Sequence, residues 1–148
     1  MKCLRTRKAS PSDFGFVYRL HCQVFFSYVD QTWGWQEDQQ RRGMREDFED
    51  FPFQIICNGD RDIGAVSALD RGSEIQLKYL AILPEYQRCG FGTQLLTEVL
   101  AQASDRQLPV KLTVMRVNPA KALYERLGFA IVQEEEGCVQ MVKFPEAL

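Results

Sequence analysis

The sequence predicts one α/β domain, and three observations lead there. Its 148 residues, 45% of them hydrophobic, suit a single folding unit with a sizeable core and leave little room for a second. Runs with the two-residue period of strands are interleaved with stretches whose apolar residues recur at helical spacing. Turn signals built on glycine, proline and asparagine separate these stretches. No linker, low-complexity segment or internal repeat intervenes, so residues 1–148 are expected to form one domain.

Residues 2–8 are expected to form a first strand. Ser10-Pro11-Ser12-Asp13 then offers capping side chains and an early proline, the start of a helix whose apolar face is Phe14, Val17, Leu20, Val24 and Phe25. The pattern breaks near residues 28–34, and a second, very polar helix is expected over 36–49. Residues 53–57 and 63–68 form strands about the hairpin signal Asn58-Gly59-Asp60. A turn at Arg71-Gly72-Ser73 leads into a strand over 74–83. Residues 90–104 make a strongly amphipathic helix, with Phe91, Leu95, Leu96, Val99, Leu100 and Ala103 on one face. A strand over 110–114 follows. Asn118 caps the next helix with Pro119 at its first position, and Gly128 closes it. Residues 130–133 and 138–142 pair in a hairpin about Glu136-Gly137.

Composition excludes several function classes. The net charge is -2, so no basic face for nucleic acid or an anionic membrane is expected. The Arg41-Arg42 pair is flanked by Glu37, Asp38, Glu46 and Asp47 and reads as one side of a solvated, mixed-charge helix. Residues 1–10 lack the apolar run of a secretory signal, and no stretch approaches the ~18 apolar residues of a membrane span. The five cysteines, an odd number with no CxxC pair, argue against a disulfide framework or a thiolate metal site. A cytoplasmic location and no metal are the expectations. His21, the only histidine, sits in an apolar helical stretch and reads as a packed residue. Neither a Ser-His-Asp triad nor a histidine metal site has another histidine to use.

Two irregularities carry chemistry. In the strand over 74–83, Ile75, Leu77 and Tyr79 are apolar at odd positions, and then Leu80 and Ile82 at even ones. Such a slip fits a β-bulge, or equally a strand end buried on both faces. The segment Gln87-Arg88-Cys89-Gly90-Phe91-Gly92-Thr93 then joins that strand to a helix. A helix N-terminus offers unpaired N–H groups and a positive dipole end, Gly90 and Gly92 let the backbone approach an anion, and Arg88 adds a charge suited to phosphate. Glycines at such a turn also serve purely structural ends. The segment lacks the Gly-Lys-Ser/Thr of a P-loop and the GxGxxG spacing of a dinucleotide site.

These residues resemble the GNAT superfamily of N-acyltransferases. Gln87-Arg88-x-Gly90-x-Gly92 is similar to its coenzyme A pyrophosphate signature. The segment Leu80-Ala81-Ile82-Leu83-Pro84 is similar to the strand beside the pantetheine arm, and the stretch from Asn118 to Phe129 is similar to the second hallmark. Element order over residues 2–143 agrees. The resemblance implies an α/β (α+β) fold with a mixed, mostly antiparallel sheet, a splayed central strand pair and helices on both faces. It implies an acetyl-CoA-dependent N-acetyltransferase acting by direct attack in a ternary complex, and it allows a homodimer. Other readings are a different acyl-CoA, or a coenzyme-binding regulatory domain without turnover.

The resemblance also assigns residues. Pantetheine would insert beside Leu80, Ala81 and Ile82, and the N–H groups from Gln87 through Arg88, Cys89, Gly90, Phe91 and Gly92 to Thr93 would receive the pyrophosphate. A donor near Ile82 would stabilise the tetrahedral oxyanion. Tyr124 would hydrogen-bond or protonate the leaving thiolate. With a tyrosine pKa near ~10 and a thiol near ~8.5, full transfer is uphill by roughly 2 kcal/mol, so donation of a hydrogen bond is the safer role; the alternative is a core aromatic. Asn118 would contact the coenzyme, or only cap its helix. Family members that use a carboxylate base place it where this chain has Gln76, which cannot be one. Glu74 lies on the same strand face and is the candidate base through water, or else a solvated turn residue. Cys89 varies within the family and is given no catalytic role. The acceptor, a small amine or a peptide, is expected to meet Tyr28, Asp30, Trp33, Trp35 and Gln76, because aromatic faces and acids attract cations. One or both tryptophans could instead anchor the loop.

Overall fold

The computed structural model describes residues 4–146. Its elements are β1 (Leu4–Lys8), α1 (Phe14–Thr32), α2 (Glu37–Asp50), β2 (Phe53–Asn58), β3 (Arg61–Asp70), β4 (Ile75–Ile82), α3 (Phe91–Asp105), β5 (Val110–Met115), α4 (Ala120–Arg126), β6 (Ala130–Glu135) and β7 (Cys138–Lys143). Short 3-10 turns occupy Pro11–Asp13 and Pro84–Tyr86. The strands form a mixed sheet in the order β1-β2-β3-β4-β5-β7-β6. The β1–β2, β2–β3, β5–β7 and β6–β7 pairs are antiparallel and β4–β5 is parallel. The β4–β5 ladder covers only Ile75 with Val110 and Gln76 with Lys111, although β4 continues to Ile82. Of the first strand expected over 2–8, residues 2 and 3 lie outside the described residues.

The chain divides into two compact units. One comprises Met1–Ala68 with Lys78–Phe91, the other Leu69–Leu77 with Gly92–Leu148. In the first, the inward stripe of α1 (Phe14, Val17, Tyr18, Leu20) packs with Phe53, Ile55 and Cys57, alternate residues of β2, and with Ala65 and Ala81. Helix α2 is polar almost all round, and Met44 is its only buried residue among those described. What binds it to α1 is a stripe of amphipathic side chains at helical spacing. Glu37 accepts from the Tyr18 hydroxyl, Arg41 lies 4.9 Å from the Tyr18 ring, Arg45 3.8 Å from the Phe14 ring, and Phe48 meets Phe14 edge-on. Arg41 is exposed, as expected of a solvated face, and it also lies over an aromatic ring.

Two further readings are refined. Helix α1 runs to Thr32, within the stretch 28–34 where the break was expected. Val29 carries its buried stripe one turn on, Thr32 Oγ1 donates to the Tyr28 carbonyl, and only Gly34, at φ +82°, ends it, with its N–H on the Asp30 carbonyl. In β4, Tyr79, Ala81 and Leu83 all pack toward the first unit's core, and Ala81 and Ile82 are both buried. A strand end buried on both faces, one of the two readings of the pattern, fits this burial.

Gly64 on β3 permits a close approach that composition does not reveal. A Cβ there would sit 2.3 Å from the Ala81 carbonyl oxygen and 3.2 Å from Ile82 Cα. Next to it, the Leu83 N–H donates to the Ile63 carbonyl at 2.8 Å. The last residues of β4 are thus pressed directly onto the β3 backbone.

In the second unit, β5 alternates cleanly, with Val110, Leu112 and Val114 buried, and β7 buries Val139 and Met141 completely. Helix α3 turns Leu95, Leu96 and Ala103 inward. The β6 strand is an edge, bulged between Ile131 and Gln133.

Candidate functional site

In the first unit, β4 ends at Ile82 and the 3-10 turn at Pro84–Tyr86 redirects the chain toward α3. Gln87 staples this bend: its Nε2 donates to the Ile82 carbonyl at 2.8 Å, and its N–H donates to the Pro84 carbonyl at 3.2 Å. That N–H, counted at first among the phosphate donors, is already used. Beyond it the backbone turns left-handed at Arg88 (φ 62°) and again at Gly90 (φ 87°). A side chain at Arg88 tolerates this only at a cost, and Gly90 adopts it freely. Left-handed residues in such a loop aim successive N–H groups into one concavity suited to an anion. Among the described residues, no acceptor takes the N–H groups of Arg88, Cys89 or Gly90. These three residues are exposed. The Phe91 ring lies edge-on to Tyr86 at 6.2 Å, which pins the loop's end to its beginning.

In the second unit, α3 continues with Gly92 and Thr93, whose N–H groups belong to the unpaired first turn. Asn118 caps α4: its Oδ1 accepts from the Ala120 N–H at 2.9 Å and its carbonyl from the Lys121 N–H. The helix closes through a Schellman motif. Gly128, at φ 99°, donates to the Glu125 carbonyl, and Phe129 donates to the Tyr124 carbonyl. Tyr124 is 7% exposed, and its hydroxyl makes no hydrogen bond among the described residues. Burial alone pushes its pKa up to about 12. Glu74 precedes β4 and pairs with Lys111 at 3.2 Å, and the Gln76 amide oxygen accepts from Arg71 Nε at 2.8 Å.

The acceptor candidates of the first unit fall into two groups. Asp30 Oδ1 accepts from the Trp35 N–H at 3.0 Å, Trp35 Nε1 donates to Glu37 Oε2 at 2.9 Å, and the Trp35 ring lies against Phe26 and His21. Asp30 and Trp35 therefore anchor the connection between α1 and α2. Glu37 holds both ends of this arrangement, and its two donors, Tyr18 first and then Trp35, lower its carboxyl below the usual range. Trp33, by contrast, is 55% exposed. Tyr28 is half-buried on α1, its ring edge-on to Phe25. Glu37 could have been suspected from its place two residues after Trp35. Gly64, Tyr79 and the partners of His21 left no mark in the linear order.

Residues 49–131 match the family model described as an Acetyltransferase (GNAT) domain. Over 57 residues the chain is 42% identical to the [ribosomal protein bS18]-alanine N-acetyltransferase of Haemophilus influenzae, a stretch that is 38% of this chain and 39% of that relative's length. Among solved structures, the PaiA N-acetyltransferase of Thermoplasma acidophilum, in complex with coenzyme A, superposes with a TM-score of 0.76. It is 18% identical, with 95% of this chain and 98% of that one covered. The ribosomal-protein-S18-alanine N-acetyltransferase of Escherichia coli has a TM-score of 0.69 and 19% identity over 97% and 96% of the two chains. At these identities the two structures share the fold.

Proposed function

Because the chain belongs to the GNAT acetyltransferase family, we propose that it transfers the acetyl group of acetyl-CoA to a primary amine by direct attack. The observation that carries this reading is the bend after β4, where left-handed Arg88 and Gly90 precede a helix start and leave three N–H groups without acceptors. An exposed run of such donors is what a pyrophosphate needs. Arg88, Cys89, Gly90, Phe91, Gly92 and Thr93 would receive it, with Gln87 as the staple of the bend. The backbone of Leu80, Ala81 and Ile82 would run beside pantetheine, a coenzyme arm able to pair with strand edges.

In the reaction, the amine nitrogen forms a bond to the thioester carbon, and the carbonyl π electrons move to oxygen. The proton the nitrogen must lose passes to solvent water, and the oxyanion's electron pair then re-forms the carbonyl as the C–S bond breaks and the thiolate leaves. Tyr124 supports this last step as a hydrogen-bond donor. With its pKa near 12 against ~8.5 for a thiol, complete proton transfer would cost roughly 5 kcal/mol, more than an unperturbed tyrosine would pay. Glu74, engaged by Lys111, is the weaker half of the catalytic pair, and the enzyme would take its amine in the neutral form. Asn118 serves as the cap of α4 and offers its remaining amide group to the coenzyme.

For the acceptor, Trp33 and Tyr28 are the contact residues, on a connection held by Asp30 and Trp35, with Gln76 as a further contact. The names of the matched relatives make an alanine-initiated protein N-terminus the first acceptor to try. The free cysteines Cys22, Cys57, Cys89 and Cys138 favour a reducing, cytoplasmic setting. No helix among the described residues is long and apolar enough to cross a membrane. The test is a thiol-release assay with acetyl-CoA against alanine-initiated peptides, free amino acids, polyamines and aminoglycosides. Turnover with one amine class supports the reading. Coenzyme binding without turnover across the panel would leave a binding domain.

A further inference from the structure

His21 is the chain's only histidine, and none of the chemistry above uses it. It is 8% exposed, yet both ring nitrogens have partners. Nε2 lies 2.9 Å from Gln40 Oε1, which can only accept, so Nε2 carries the proton. Nδ1, 3.3 Å from the Tyr79 hydroxyl, is then the acceptor of the Tyr79 O–H. The ring also packs against Phe25 at 5.2 Å and Trp35 at 5.6 Å. One side chain on α1 thereby ties together α2 through Gln40, the connection that carries Trp33 through Trp35, and β4 through Tyr79. Tyr79 immediately precedes Leu80, the start of the stretch assigned to pantetheine.

We propose that His21 is a positioning residue of the transfer reaction: acting through Trp35 and Tyr79, it sets the acceptor-side connection against the strand that presents the thioester. This rests on the reading that the acceptor meets residues 28–36. A phenylalanine in its place would fill the space but leave the Tyr79 hydroxyl and the Gln40 amide without their buried partner, so both would be free to turn. Neutral imidazole is the form the cage accepts. The ionisable groups around it are Tyr18 and Cys22 on α1, Glu37, Arg41 and Asp47 on α2, and Tyr79 on β4. Asp47 favours a charged ring but is itself paired with Lys78 at 3.7 Å, Glu37 is held by Tyr18 and Trp35, and Arg41 lies over Tyr18. Burial prevails over these and lowers the histidine's pKa. Protonation would also turn Nδ1 into a donor facing a hydroxyl that now donates to it.

The experiment compares His21→Phe, His21→Asn and Trp33→Ala in the full chain, with an alanine-initiated hexapeptide or the best amine of the panel as acceptor. His21→Asn keeps an acceptor oxygen near Nδ1. His21→Phe should raise the acceptor KM about tenfold, the weight of one or two buried hydrogen bonds, with the acetyl-CoA Kd within about twofold. His21→Asn should stay within about threefold of the parent for both constants. Trp35 emission, read in a Trp33→Phe background, should step at acid pH and lose that step in His21→Phe. The acceptor KM should rise across the same step in the parent but not in His21→Asn, a difference that cancels the amine's own titration. Equal KM for the parent and His21→Phe, or parallel loss of acceptor and coenzyme binding, would overturn the proposal. If His21→Phe does not fold, a Trp35 step with no accompanying difference in KM between the parent and His21→Asn overturns it. If Trp33→Ala leaves KM unchanged while His21→Phe raises it, the acceptor placement fails, and the proposal that rests on it falls with it. The reverse pattern removes the positioning role alone.

Discussion

The N–H of Phe129 donates to the carbonyl of Tyr124 at 3.0 Å, and the two rings meet edge to face with centroids 5.5 Å apart. Backbone and side chain thus clamp the same pair. The clamp is the hydrophobic contact that accompanies a Schellman closure, and it fixes where the Tyr124 hydroxyl points without any hydrogen bond to that hydroxyl.

Tyr124→Phe should therefore fold like the parent and bind acetyl-CoA within a few fold, but turn over about tenfold more slowly or worse. The clamp needs the ring, and the proposed chemistry needs the hydroxyl. Because burial raises this pKa to about 12, the hydroxyl stays protonated through pH 10, so Tyr124 should add no basic limb below that pH. Steady-state rates of both proteins from pH 7 to 10 check this. A limb near pH 9 present in the parent and absent in Tyr124→Phe would contradict it.

Gly128→Ala should loosen the same clamp. Its φ of 99° strains any other residue, by about 1–2 kcal/mol. The Cβ would also meet the Lys143 side chain at 2.9 Å, which is flexible enough to move aside. Urea unfolding should show a loss of that order, accompanied by a lower kcat.

Gly64→Ala is expected to cost more, on the order of 2–4 kcal/mol, because the intruding carbon would meet backbone rather than a movable side chain. The disturbance falls on Ala81 and Ile82, so coenzyme affinity should fall along with the melting temperature. A variant with unchanged stability would mean that β3 and β4 part readily.

Acid stability should report on Asp13. Arg7 donates to both its oxygens at 3.0 Å and Ser10 N–H adds a third bond at 2.8 Å, lowering its pKa from 3.8 to about 2. A depressed carboxyl pKa contributes stability above the unfolded value, and that contribution is lost as pH falls through the folded one. Unfolding free energy should thus decline between about pH 4 and pH 2 in the parent. Asp13→Asn should be less stable at pH 7 by about 1–2 kcal/mol and show a shallower decline.

Much of this architecture was legible in the chain's linear order, and the failures have a common physical origin. The amphipathic stripe of α3, the Asn118 cap and the Gly128 closure are local, so residue types a few positions apart reveal them. The glycines of the bend that leads into α3 declared themselves in the same way. Helix α2 was legible as a polar helix, but what holds it was not, because its stripe consists of Glu37, Arg41 and Arg45, whose partners are aromatic rings and a hydroxyl on α1. The two tryptophans illustrate the limit. Trp33 and Trp35 look alike in sequence, but a bond to Glu37 and another to Asp30 make Trp35 an anchor, while Trp33 is exposed. Tyr79 and His21, 58 positions apart, meet only in the folded chain.

The measurement that tests the account most directly is calorimetric titration of acetyl-CoA into the parent, Gly90→Asn and Gly90→Asp. Gly90 holds a left-handed backbone angle that asparagine and aspartate both tolerate better than other residues do, so the two variants share shape and strain and differ in charge. If the pyrophosphate sits on the N–H groups that follow Gln87, the parent binds, Gly90→Asn binds more weakly, and Gly90→Asp loses a further factor of about a hundred, the weight of a like charge at close range. Equal affinity in Gly90→Asp and Gly90→Asn would contradict the account, since it would place the coenzyme's charge elsewhere.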